Sequence, residues 1–388
     1  MLPFDSEPAT SSETLDAATS SQALETATAA VPSWFGPSTY ALFTIALVGL
    51  GIATAIGMFL RRRNHGGAGE PPVSPAMLKR FNHKIRVWWM MMIIFAVGFL
   101  FGRIGVVLMF GGVSFWALRE FITMTPTRRG DHRSLFWIFF VFTPLQYLMV
   151  GLGSHPPALF GGPSVDYYDY YSIMIPVYAS LFIPARAAIA GDSKRFLERA
   201  AKIQLGLLVC VYALSYAPAI LDLRLVRTTQ RIAMAVGDAG VSDGSIAWEG
   251  STASLLIFFV LVCQLAIVFE RMWTRLAGRL VIAPKINGSR TWEGCCGSML
   301  TTGLVAASLS WATPFLSWEA GLLGAVLSVM AMAGSMTMSA IKRDRGVADT
   351  GTLVQGHSGV LDQIDSMCFA APVFYHVTRF FWSIESVL

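Results

Sequence analysis

Between Ser339 and Ser366 the chain concentrates the residue types that handle phosphate and metal ions. Lys342, Arg343 and Arg345 come first, then Asp349, then Gly351, Gly356 and Gly359, then Asp362 and Asp365. The last two acids stand three residues apart, a spacing that puts both carboxylates on one helix face. The glycines allow close backbone approach and unusual dihedrals. Carboxylates beside cations and flexible turns suit an oxygen-ligated divalent metal that holds a polyphosphate. Each part also has a plainer reading. Basic residues that end a membrane helix serve as anchors, acids that begin a helix favour its dipole, and His357 alone is an ordinary loop histidine. A second polar stretch, Ile282 to Gly294, adds Lys285, Arg290 and Glu293.

The chain that must position these residues is 54% hydrophobic and 14% charged, with a mean hydropathy of +0.56. A soluble domain carries about 25% charged residues, so this much apolar surface has no water-soluble arrangement. Disorder is excluded by the same figures, since aromatic residues make up 12% of the chain. The composition predicts an all-α, polytopic transmembrane helical bundle. Apolar runs predict about nine or ten spans, near 40–60, 87–102, 104–118, 134–152, 170–190, 203–222, 251–270, 295–314, 318–340 and 366–386. The run from Val87 to Leu118 reads best as a tight hairpin of two short helices with Arg103 near its tip. Residues 1–39 contain five acids and no Lys or Arg; they read as a disordered acidic tail without a secretory-signal pattern. Residues 40–250 form an N-terminal set of helices and residues 251–388 a C-terminal core.

Beyond the tail, all 29 basic residues face 19 of the 24 acidic ones. The excess is ordered. Arg61–Arg63, Lys79, Arg80, Lys84 and Arg86 fill the first loop. Arg119, Arg128, Arg129 and Arg133 fill the third, and Lys194, Arg195, Arg199 and Lys202 the fifth. Arg271, Arg275, Arg279, Lys285 and Arg290 fill the seventh, with Lys342, Arg343 and Arg345 in the ninth. Basic charge on alternate loops places those loops in the cytoplasm and both termini outside, and it marks membrane topology and not nucleic-acid binding. The loop 223–250 dissents with Arg224, Arg227 and Arg231, for which an interfacial amphipathic segment is one account. The five cysteines show no metal or disulfide spacing and read as small hydrophobes. Arg119, Glu120, Asp131 and His132 form a polar cluster that either lines the site or pairs locally, and local pairing is the simpler expectation.

Ser339 to Ser366 resembles the C-terminal signature of the phosphatidate cytidylyltransferase family. That signature runs S-x-hydrophobic-K-R, four residues, K-D-x-G, a P-G-H-G-G turn, then hydrophobic-x-D-R-hydrophobic-D-S. Ser339, Ile341, Lys342, Arg343, Asp349, Gly351, Gly356, His357, Gly359, Val360, Asp362, Ile364, Asp365 and Ser366 match it in register. Pro284-Lys285 and Arg290-Thr291-Trp292-Glu293-Gly294 resemble the family's S-P-x-K-T-W-E-G loop. Ala117 to Arg133, followed by Pro144 to Tyr147, is similar to a bacterial branch. The resemblance covers about residues 80–220 loosely and 250–388 well.

The resemblance implies transfer of CMP from CTP to phosphatidate, giving CDP-diacylglycerol and pyrophosphate, at the cytoplasmic side of a bacterial inner membrane. It implies that Asp349, Asp362 and Asp365 hold Mg²⁺. Lys342, Arg343, Lys285 and Arg290 would contact phosphates, with Ser339, Gly356, His357 and Gly359 shaping the substrate site. A homodimer is a candidate assembly. The chain also departs from the pattern. The family's Lys before the signature Asp is Ala348, its turn Pro and second Gly are Gln355 and Ser358, and its Arg between the last acids is Gln363. Asn287-Gly288 and Arg290 replace Ser-Pro and Lys, and the family's Asp on the preceding span falls on Ile267. Glu270, three residues on, shares that helix face. Loss of cations from a polyanion site keeps two alternatives open: a lipid- or nucleotide-binding relative without turnover, and a CTP-dependent lipid-alcohol kinase. A transporter would show internal repeats, and none is found.

Overall fold

A computed structural model describes residues 36–66, 75–124, 131–153, 167–191, 193–229, 231–232, 248, 250–346 and 359–384. The tail expected at 1–39 lies outside the described residues except for its end, where the first helix already begins at Pro37. Among the described residues ten helical rods follow one another. They are α1 (Pro37–Gly66), α2 (Pro75–Leu100), α3 (Gly102–Met124), α4 (His132–Leu152), α5 (Tyr167–Ile189), α6 (Phe196–Asp222), α7 (Thr252–Ala277), α8 (Trp292–Ser308), α9 (Ser317–Asp344) and α10 (Leu361–Trp382). Eight are long and apolar enough to cross a membrane; α8 is short and α10 carries the acids. The chain is thus an all-α polytopic membrane bundle, as its composition requires.

The hairpin centred on Arg103 is present, but its arms are 26 and 23 residues long, not short. Helix α2 takes in the basic segment from Pro75, and α3 continues past Leu118 to Met124, because a helix extends beyond its apolar stretch when its polar end can reach water. Gly102 (φ +66°) makes the reversal. Arg103 is fixed by Asp222 at 2.8 Å and by the Val150 carbonyl at 3.1 Å. Gly153, at φ +63°, lies where a Cβ would meet the Asp222 carboxylate at 2.6 Å, so the ion pair needs glycine there.

Three rods contain π-helical turns: Ile138–Phe142 in α4, Met174–Ala179 in α5 and Leu208–Ala213 in α6. Hydroxyls accompany two of them. Thr143 donates to the Ile138 carbonyl at 2.8 Å and Ser180 to the Ile175 carbonyl at 3.1 Å, which supplies backbone acceptors in hydrocarbon with a donor. Helices α1 and α2 are mostly exposed to the bilayer, whereas α6 and α10 are deeply buried. Helices α8 and α9 meet through small residues: a Cβ on Gly303 would lie 3.0 Å from the Gly321 carbonyl, and Ser298 bonds Ser328 at 2.7 Å.

Two departures from the sequence expectations stand out. A β-hairpin, β1 (Val281–Ala283) with β2 (Asn287–Thr291), joins α7 to α8 where a loop was expected. Residues 223–227 run extended against the end of α10, and residues 228–229 and 231–232 turn helical. Leu225 bridges Ser383, and the Val226 amide donates to Trp382. Thr228 donates to Glu319 at 2.7 Å and accepts from the Trp382 indole. Arg224 and Arg227 therefore sit on an extended strap, whereas Arg231 lies on a helical turn, its amide bonded to the Arg227 carbonyl at 3.0 Å, and donates through its side chain to the Phe381 carbonyl. Most of the rest of the segment for which an amphipathic helix was one account lies outside the described residues. Cys210, Cys263, Cys295 and Cys368 are buried and Cys296 is exposed.

Candidate active site

The Thr-Trp-Glu-Gly segment is first of all a joint. Thr291 caps α8, accepting from the Gly294 amide at 3.1 Å, and its hydroxyl meets that of Thr274 on α7 at 3.2 Å. Glu293 reaches back to accept from the Arg279 and Leu280 amides at 3.1 Å each, closing the base of the hairpin. Gly294 is required by the approach of α7: a Cβ there would lie 3.1 Å from the Glu270 carbonyl. These contacts set the direction of the residue just before the joint.

That residue is Arg290, 4% exposed, which pairs inside the bundle with Glu270, 2% exposed. Its other terminal nitrogen donates to Ser335 of α9 at 2.7 Å. One turn further along α9, Ser339 accepts from Asn287 at 3.2 Å and donates to the Ser335 carbonyl at 2.8 Å. Arg343 donates to the Ile286 carbonyl at 3.3 Å. The hairpin is thereby clamped to the last turns of α9 along its length, with Asn287 acting at a position where the family carries a different residue. Lys285, in the hairpin turn, is exposed, as is Arg343.

The acids come from α10. Lys342 forms an ion pair with Asp362. Asp365, 7% exposed, accepts the Ser366 amide at 2.6 Å and makes no ion pair among the described residues. It lies within electrostatic range of Arg271, Arg290, Lys342 and Asp362. Helices α9 and α10 are close because residue 334 is glycine, whose missing Cβ leaves room for the Asp365 carbonyl and for the Phe369 ring, 3.1 Å from where it would sit. The structure thus brings Lys285, Arg290, Ser339, Lys342, Arg343, Asp362 and Asp365 to one end of the bundle. Gly359 precedes the turn into α10. Asp349, Gly356 and His357 lie outside the described residues, as do Ala348, Gln355 and Ser358.

Two further acids join this end of the bundle, one of them from the polar cluster that was expected either to line the site or to pair locally. Glu270 enters the site through its pairing with Arg290, and its one signal was the shared helix face with Ile267. Glu120 accepts from the amides of Val360 at 3.0 Å and Leu361 at 2.8 Å, so it joins α3 to the start of α10 and does not pair locally. Asp131 likewise pairs at 3.1 Å with Arg199 of α6. Arg119 stacks over Trp116 at 5.3 Å. Helix ends from distant parts of the chain converge here, which spacing in sequence does not encode.

The model of the cytidylyltransferase family matches residues 82–381, a range that includes every one of these described side chains. The chain belongs to the cytidylyltransferase family. The uncharacterized protein YnbB of Escherichia coli is 28% identical to it over 298 residues, covering 76% of this chain and 87% of that one. A phosphatidate cytidylyltransferase of Synechocystis is 39% identical over 95 residues, 24% of this chain and 32% of the relative. The chloroplastic phosphatidate cytidylyltransferase 5 of Arabidopsis thaliana is 29% identical over 214 residues, 53% of this chain and 52% of its own length. This family member therefore spans most of the first relative and about half or less of the two that carry an enzyme name.

Among the described residues no group of three or more His, Cys, Asp or Glu is placed to hold a metal. The donor set nonetheless fits a hard cation. Asp362 and Asp365 offer carboxylate oxygens one helical turn apart, and the buried Asp365 makes no ion pair among the described residues; one or two such carboxylates are the protein oxygens that Mg²⁺ takes.

Proposed function

We propose that this cytidylyltransferase-family chain is a phosphatidate cytidylyltransferase. The observation that carries the reading is the convergence of Arg290, Lys342, Asp362 and Asp365 from three separated segments at one end of the bundle. The relatives named as phosphatidate cytidylyltransferases match this chain with 29–39% identity, which supports the same substrates. A phosphate oxygen of phosphatidate would attack the α-phosphorus of CTP. The bond from that phosphorus to the bridging oxygen breaks, and pyrophosphate leaves with the electron pair.

Both reactants are anions, so the site must cancel repulsion and hold them in line. Lys285 and Arg343, exposed at the hairpin turn and the end of α9, are the cations placed to receive a polyphosphate from water. Lys342 and Arg290 act differently: each holds a carboxylate, Asp362 and Glu270 respectively. Asp362 and Asp365, with Asp349, would hold Mg²⁺, which neutralises phosphate charge when bound. The basic residues at this end support a cytoplasmic position for it by the positive-inside rule, on the side where CTP is found. The inner membrane of a bacterium is the corresponding location. The diacyl chains of phosphatidate would remain in the bilayer.

The purified chain in detergent, given CTP, phosphatidate and Mg²⁺, should release pyrophosphate and form CDP-diacylglycerol. Release of CDP with a phosphorylated lipid would identify a kinase instead. Nucleotide or lipid binding without turnover, from folded protein with either Mg²⁺ or Mn²⁺, would identify a binding relative in which Ile267, Ala348 and Gln363 have removed the chemistry.

A further inference from the structure

Helix α10 begins without a cap of its own. The residue at its N-cap is Val360, whose side chain has no acceptor, so its first amides need partners from elsewhere. The amides of Asp362 and Gln363 turn back to the carbonyls of Gly359 and Val360 at 3.1 and 3.0 Å. The two that remain, Val360 and Leu361, are both taken by Glu120, one carboxylate oxygen each, at 3.0 and 2.8 Å. The acceptor comes from about 240 residues away, from the last turns of α3.

Resting on the phosphatidate cytidylyltransferase reading, we infer that Glu120 is a positioning residue that sets the angle and register of the first turn of α10. That turn carries Asp362 directly after the two capped amides and Asp365 one turn on. Two charge-assisted bonds to adjacent amides fix a helix start in both rotation and translation, where a single bond would leave it free to pivot. Glu120 also places a negative charge at the positive end of α10, and Lys342 offsets the charge of Asp362 beside it. The N-terminal helices are in this way mechanically connected to the C-terminal core at the acids themselves.

The test uses the full-length chain in detergent with Glu120→Ala and Glu120→Gln, the latter keeping one acceptor oxygen. Hydrogen exchange at Val360 and Leu361 should be at least about tenfold faster in Glu120→Ala, a loss of protection tied to the removed acceptor, and partly restored in Glu120→Gln. Mn²⁺ affinity, read by electron paramagnetic resonance without substrate, should fall by about tenfold in Glu120→Ala. Turnover should fall by up to about 100-fold, the cost of a small misplacement of reacting groups, with KM for phosphatidate held within about twofold and Glu120→Gln intermediate. Unchanged exchange overturns the cap. Faster exchange with unchanged Mn²⁺ affinity, or no Mn²⁺ bound by the parent chain, overturns the positioning role. A parent chain that binds Mn²⁺ but gives no pyrophosphate overturns the enzymatic reading alone, and the Mn²⁺ comparison then decides the role of Glu120. Should Glu120→Ala fail to fold, Glu120→Gln carries the same comparisons.

Discussion

Asp365 and Glu270 are both buried carboxylates, yet they are in opposite situations. Glu270 is answered by Arg290, which stands where the family has lysine, and Glu270 stands one turn beyond where the family has aspartate. The longer cation and the displaced acid meet inside the bundle, so the two departures compensate each other in charge. Removing one partner of a buried pair leaves the other uncompensated at about 3–5 kcal/mol. Glu270→Gln should therefore destabilise the chain by that order in denaturant unfolding, and Glu270→Gln with Arg290→Met should recover most of the loss. Equal loss in the single and double variants would mean that the pair is not coupled. Asp365 has no direct ion-pair partner among the described residues, so Asp365→Asn should fold normally. Its pyrophosphate release should fall by about 100-fold or more, the scale of losing one electrostatic contact in a preorganised site. Full activity in that variant would remove Asp365 from the site.

The hairpin, α9 and the start of α10 form the frame that aligns these residues, and α8 transmits its position through Thr291. The α8–α9 seam is built on absent side chains. A Cβ at Gly324 would lie 3.1 Å from the Thr302 carbonyl and 3.4 Å from the Gly303 Cα, a small-residue contact of the kind that lets membrane helices approach closely. Gly324→Val should open that seam at a cost of about 1–3 kcal/mol from overpacking. It should also reduce turnover, because β2 and α8 move together. Gly112→Ala, where nothing lies within 4 Å, is the matched control and should leave thermal unfolding and turnover unchanged. Equal effects of the two changes would show that the seam does not carry the alignment.

At the scale of the whole molecule, alternate helix ends collect the basic residues, and the site lies at that basic end. With Cys296→Ser removing the one exposed native thiol, Gly288→Cys in the hairpin should be labelled by an impermeant maleimide in inverted membrane vesicles and protected in right-side-out ones. The reverse pattern would place the site on the other face. Sequence by itself determined much of this. The apolar runs pointed to the all-α polytopic bundle, because hydrocarbon admits few backbone arrangements and the segments that satisfy it are local; of the ten spans expected, eight are long and apolar enough to cross among the described residues. The spacing of Asp362 and Asp365 likewise fixed their shared face, since helical geometry acts within one turn. The hairpin was not legible: its strands are three and five residues long, and they are held by Glu293, Asn287 and Arg343 across segments. The link from Glu120 to α10, the pairing of Glu270 with Arg290 and of Asp131 with Arg199, and the strap against Trp382 were decided by tertiary structure alone. Each joins residues on different elements, through hydrogen bonds whose partners are chosen by where helix ends meet and not by any period along the chain.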